Sequence, residues 1–102
     1  MKTRKILFSL ESRATYGYSR NVMRAIRDFP DLELLTLVSG MHLMPEMGNS
    51  INLIKKDGFP ISSEVELSPK GEYSPAAWSR AMAKGMEGFS NSLEKLMPDI
   101  VL

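Results

Sequence analysis

The sequence predicts an α/β domain built on a mostly parallel, doubly wound sheet. Three observations carry that prediction. An apolar run at residues 6–10 passes through a short polar turn, residues 11–17, into an amphipathic stretch with Val22, Met23, Ile26 and Phe29. Apolar runs of strand length recur at Leu32–Ser39, within residues 59–67 and at residues 99–102. The stretches between them carry helix start and stop signals, so the order reads β-α-β-α-β-α-β. Right-handed crossovers then make the strands parallel, put helices on both faces, and place a ligand crevice beyond the carboxyl ends of the strands.

Each element has its own warrant. The first turn feeds a helix whose N-terminus has free N–H groups and a positive dipole end. Arg13 adds a fork of donors at that spot, so the turn suits a diphosphate. Asp28-Phe29-Pro30-Asp31 stops the first helix, because Pro30 disfavours helix at the residue before it. Leu32–Ser39 is nearly continuous in apolar residues, as in a strand covered on both faces. Residues 40–48 are expected as a loop. Asn49 or Ser50 caps a short helix carrying Ile51, Leu53 and Ile54, and Asp57-Gly58 ends it.

Phe59, Ile61, Val65 and Leu67 alternate with Ser62, Glu64 and Glu66, which predicts an edge strand with one polar side. Ser74-Pro75 opens a long helix that runs to about Leu96. Its inward stripe is expected to be Trp78, Met82, Phe89, Leu93 and Leu96, with Ala77, Ala81, Gly85 and Gly88 allowing close approach to the sheet. Pro98 breaks it, and residues 99–102 open a fourth strand. In this sheet type the fourth strand lies beside the first, so a short fourth strand leaves part of the first unpaired. The chain reads as the front part of a larger domain.

Bulk properties narrow the function classes. A length of 102 residues suits one small domain. Thirteen basic and twelve acidic residues give a net charge of +1, without long-range attraction to nucleic acid or membrane. There is no cysteine, so disulfides and thiolate metal sites are excluded. Lys2, Arg4 and Lys5 precede an apolar run too short for a signal peptide, and no run reaches membrane-span length; a cytoplasmic location is the default expectation. The first turn lacks G-x-G-x-x-G, which argues against a dinucleotide site. A phosphoacceptor receiver domain needs an acidic cluster that Glu11 alone does not supply.

Each candidate residue also has a plainer reading. Arg13 could ion-pair with Glu11 on the surface, a contact of little worth. His42, the only histidine, is at its plainest a hydrogen-bonded loop residue, although its place beside the crevice suits a substrate contact. Glu46 is a cleft carboxylate or a solvated one. Arg20, Arg24 and Arg27 read as a solvated helix face. Met82 and Met86 read as core fillers or a helix-packing surface, and Trp78 as core.

Taken in order, Ser12-Arg13-Ala14-Thr15-Tyr16-Gly17, Val38-Ser39-Gly40-Met41-His42-Leu43, Gly48-Asn49-Ser50, Lys56-Asp57-Gly58-Phe59 and Pro98-Asp99-Ile100-Val101 resemble the start of the hydrolysing UDP-N-acetylglucosamine 2-epimerases. The resemblance covers essentially the whole chain. It implies two Rossmann-like domains arranged as in B-type glycosyltransferases, with the active site between them. Residues 1–102 would then be the N-terminal part of the first domain, with the second domain absent. It also implies a chemistry. UDP leaves C1 of the sugar as a proton leaves C2, and water adds to the resulting glucal to release an N-acetylmannosamine-type sugar. The product feeds sialic-acid-type synthesis, and a related class acts on a UDP-diacetamido sugar.

Under this resemblance Arg13, Thr15, Gly17 and His42 are the expected UDP-binding residues. The catalytic residues are expected downstream of Leu102, so the chain alone is expected to be inactive. No metal and no cofactor are expected. The expected partner is a UDP-sugar, with neither nucleic acid nor membrane, and whether the complete protein is a homodimer stays open. Two positions depart from the family pattern. Thr15 stands where an acidic residue is common, and Glu11 where a small residue is usual. The competing readings are a non-catalytic UDP- or anion-binding half-domain and a non-functional remnant.

Overall fold

The computed structural model describes residues 3–45, 48–71 and 73–102. The expectations for Lys2 and Glu46 fall outside these residues. Four parallel strands lie in the order β3-β2-β1-β4: β1 Arg4–Leu10, β2 Leu32–Ser39, β3 Ser63–Val65 and β4 Ile100–Val101. The helices between them are α1 Arg13–Asp28, α2 Ile51–Lys56 and α3 Pro75–Leu96, with a 3-10 turn at Gly40–Leu43 after β2. This is a Rossmann-like α/β arrangement. The strand order reverses direction between β1 and β4, so the crevice opens where β1 ends.

Strand periodicity divides the core between two faces. Ile6, Phe8 and Leu10 of β1 and Leu34 and Val38 of β2 meet α1 and α2 through Tyr16, Met23, Ile26, Ile51 and Ile54. On the other face Leu7 and Leu37 meet Val65, with Leu35, Leu67 and, from α3, Phe89 and Leu96 around them. The fourth strand lies beside the first as expected. Leu102 N donates to Leu7 O at 2.8 Å, Ser9 N donates to Leu102 O at 3.0 Å, and the Asp99 carboxylate accepts from Lys5 N at 2.7 Å.

Four expectations need correction. The polar turn is shorter, because Ser12 caps the helix and residues 13–17 already form its first turns. With that start, Tyr16, Met23 and Ile26 face inward, while Val22 and Phe29 stay 49% and 53% exposed. The third strand shrinks to Ser63–Val65. Phe59 and Ile61 pack with α1 and α2, whereas Val65 and Leu67 pack on the opposite face. The alternation therefore spans a crossing segment and a strand, rather than one strand with a single apolar side.

The inward stripe of α3 differs in part: Phe89 and Leu96 pack inward and Gly85 and Gly88 lie close to the β3 edge as expected, whereas Trp78, Met82 and Leu93 do not face the core. Gly85 and Ser92 are its buried residues, and Ala77, Ala81 and Gly88 are only part-exposed. Trp78, Met82 and Leu93 lie on an exposed flank, as does Met86. The cause is distance. A Cβ on Gly85 would overlap the Leu67 side chain and approach the Glu66 carbonyl to 3.2 Å, and one on Gly88 would meet Val65 at 3.0 Å. The helix lies too close to the β3 edge for large residues on that line. Finally, Ser50 occupies the N-cap of α2, but its hydroxyl makes no capping bond. It serves His42 instead.

Candidate functional site

The site begins where β1 hands over to α1. Ser12 is extended (φ −147°, ψ 163°), and its Oγ accepts from Thr15 N at 3.3 Å, satisfying one of the free donors of the first turn. Thr15 Oγ1 donates to Glu11 Oε1 at 3.1 Å. Ser12 Oγ and Thr15 Oγ1 stand 3.1 Å apart. An ionised carboxylate only accepts, so the direction of donation follows: Ser12 to Thr15, and Thr15 to Glu11.

Arg13 is exposed and has neither an ion pair nor a hydrogen bond among the described residues. The surface pair with Glu11 does not form. The guanidinium instead lies against Gly48, where a Cβ would stand 2.9 Å from Nη2. Gly48 has φ +87°, a conformation that glycine adopts without strain. Gly17 is one turn further along α1, on the same face as Arg13, and a Cβ there would meet nothing within 4 Å. Arg13, Thr15 and Gly17 thus gather on the N-terminal turns of α1, at the carboxyl end of β1.

His42 lies behind them in the 3-10 turn and is fully buried. Its Nδ1 is 2.7 Å from Ser50 Oγ, while Nε2 is enclosed with no hydrogen-bond partner of ordinary geometry among the described residues. Burial holds its pKa below the ordinary histidine value. The Ser12 backbone and the Glu11 charge oppose that shift, and Arg13 adds to it. Met41 N donates to Glu11 O at 3.0 Å, so this turn is pinned to the β1–α1 link. Beside it, an open cavity of about 460 Å³ lies past the ends of β2 and β3, lined in part by Leu43, Met44, Leu67 and Tyr73.

One part-buried polar cluster had little signal in the sequence. The Tyr16 hydroxyl donates to Asp57 Oδ2, and Arg20 Nη2 reaches the same oxygen at 3.2 Å. The Arg20 guanidinium sits 5.6 Å above the Tyr16 ring. Burial, then the Asp57 hydrogen bond, push the Tyr16 phenol up to about 12. The partner of Tyr16 lies 41 residues away, beyond the reach of local pattern. Of the three arginines expected on a solvated face, Arg24 pairs locally with Asn21, but Arg20 pairs with Asp57, and Arg27, besides Asp28, donates to Asp57 O at 3.4 Å and lies 5.1 Å over the Phe59 ring. Among the described residues no group of three or more His, Cys, Asp or Glu could hold a metal ion, and no helix is long and apolar enough to cross a membrane.

A 3-2-1-4 parallel sheet with a capped helix N-terminus at its switch point defines the Rossmann-like α/β class. No family model matches the sequence. Individual proteins do. The chain is 34% identical over 100 residues to a UDP-N,N'-diacetylbacillosamine 2-epimerase (hydrolyzing) of Legionella pneumophila, covering 97% of this chain and 26% of that protein. It is 29% identical over 102 residues to a GDP/UDP-N,N'-diacetylbacillosamine 2-epimerase (hydrolyzing) of Campylobacter jejuni, covering 100% and 26%. A UDP-N-acetylglucosamine 2-epimerase of Neisseria meningitidis matches at 28% over 72 residues, covering 67% and 19%. The chain belongs to this family of hydrolysing UDP-sugar 2-epimerases. It spans about a quarter of the length of the first two relatives.

Proposed function

We propose that these residues form the N-terminal part of the first domain of a hydrolysing UDP-sugar 2-epimerase, and that the first turn of α1 receives the diphosphate of the UDP-sugar. One observation carries the binding site: Arg13, without a partner among the described residues, stands at a helix N-terminus at the carboxyl end of the central strand. Cationic and N–H donors placed there favour the negative charge that develops on departing UDP. Arg13, Thr15 and Gly17 offer the open side, and His42 stands behind it. The named substrates of the two long matches support a UDP-diacetamido sugar, with UDP-N-acetylglucosamine as the related choice.

Catalysis in this reading needs acid and base groups from a partner domain. Glu11 is the carboxylate of this turn, and it is already hydrogen-bonded to Thr15. The chain alone then binds UDP without turnover, the product of the complete protein is an N-acetylmannosamine-type sugar, and neither metal nor redox cofactor takes part. Calorimetric titration of UDP into the chain and into Arg13→Ala tests the reading. Binding that is lost in the variant supports it. A wild-type chain that does not bind, or a variant that binds equally well, overturns it.

A further inference from the structure

Among the described residues His42 is a fully buried titratable side chain beside the α1 N-terminus, and it has no open face for a ligand. Its Nδ1 contact with Ser50 ties the 3-10 turn to a residue eight positions further along the chain. Between the two, Asn49 N donates to Met44 O at 3.3 Å and Gly48 N to Pro45 O at 3.0 Å. Gly48 is the residue against which the Arg13 guanidinium rests. The other end of the turn is tied to the same place, because Met41 N donates to Glu11 O. The Tyr16 ring of α1 meets the imidazole edge-on, with centroids 6.3 Å apart. The imidazole therefore has α1 on one side and Ser50 on the other.

A polar ring fully removed from water, with Ser50 as its one side-chain hydrogen-bond partner among the described residues and the Ser12 backbone beside it, costs free energy that an apolar residue of similar size would not. The plain return on that cost is the Ser50 contact. We propose that His42 is a positioning residue: through Ser50 it fixes the place of residues 48–50 so that Gly48 backs Arg13, and it thereby sets where the guanidinium points without touching the ligand. The proposal rests on the reading that this turn binds UDP.

Two readouts separate the proposal from that reading. The first needs no ligand. In NMR spectra of the folded chain, Ser50→Ala and His42→Phe shift the Gly48 amide and the Arg13 side-chain Nε–H resonances. His42→Asn, which keeps a polar atom near the Nδ1 position, leaves them near wild type. The second is UDP affinity. Ser50→Ala and His42→Phe each weaken it by on the order of tenfold, the worth of one buried hydrogen bond. The double variant loses no more than either single one, and His42→Asn restores most of the affinity.

Unchanged Gly48 and Arg13 resonances in Ser50→Ala overturn the proposal whether or not UDP binds. Additive losses in the double variant also overturn it, since independent effects mean the two side chains do not act through one bond. A failure of the wild-type chain to bind UDP overturns the binding reading alone, and the ligand-free spectra still decide the loop. Far-UV circular dichroism confirms that each variant is folded, and Ser50→Ala, the mildest change, keeps the test open if His42→Phe unfolds the chain.

Discussion

Thr15 Oγ1 donates to Glu11 Oε1 across 3.1 Å, tying the side chain after β1 to the first turn of α1. This contact joins the two positions that the resemblance marks as expected departures from the family pattern. The carboxylate is hydrogen-bonded within the turn and leaves Arg13 uncompensated among the described residues. A negative charge near a helix N-terminus is favourable by itself, but it opposes an incoming diphosphate.

Glu11→Gln therefore strengthens UDP binding at low salt. Two unit charges about 4 Å apart in water interact by about 1 kcal/mol, roughly a fivefold change. High salt screens the difference away. Titration calorimetry at two ionic strengths checks both points, and an affinity that falls on substitution would show the carboxylate assisting the ligand.

His42 gives the fold an acid sensitivity. Its pKa is held below 6.5 in the folded chain by burial. The unfolded chain therefore takes up the proton first as pH falls. The stabilisation is complete above the unfolded value and is lost as pH drops towards the folded one, by up to about 1.4 kcal/mol per pH unit. Urea unfolding at neutral and mildly acidic pH reads this, and His42→Asn flattens the dependence because no other histidine exists.

Tyr16 acts at the other end of the scale. Its phenol is pushed up to about 12 from 10.0, chiefly by burial and then by the Asp57 hydrogen bond. Here the unfolded chain loses its proton first, so the stabilisation is complete below pH 10 and disappears as pH rises towards 12. Tyr16→Phe removes this alkaline loss. At neutral pH it costs about 1.5–3 kcal/mol, the range for a hydrogen bond to a charged group.

Gly85→Ala measures the closeness of α3 to β3. The added methyl overlaps Leu67 and presses on the Glu66 carbonyl. Overpacking of this kind costs about 1–3 kcal/mol, against the gain that alanine gives in an open helix. Equilibrium unfolding checks the sign. A stabilised variant would mean that Leu67 moves aside freely.

Much of this protein was legible in its residues. Parallel β1 and β2, the bounds of β2, the Ser74-Pro75 start of α3 and its end at Leu96 all follow from apolar periodicity and local stop signals. So does the place of Arg13 at the head of α1, because strand, short turn and capped helix are local events. Three things needed the tertiary structure. The close approach of Gly85 and Gly88 was legible, but that it leaves Trp78 and Met82 outside was decided by how near the helix lies to Val65 and Leu67. The partners of Tyr16 and His42 were decided by chain returning from 41 and 8 residues away. Local pattern reports which residues prefer to be buried; only packed elements decide which of them fit, because hydrogen bonds and van der Waals contacts act over a few ångströms of space and not along the sequence.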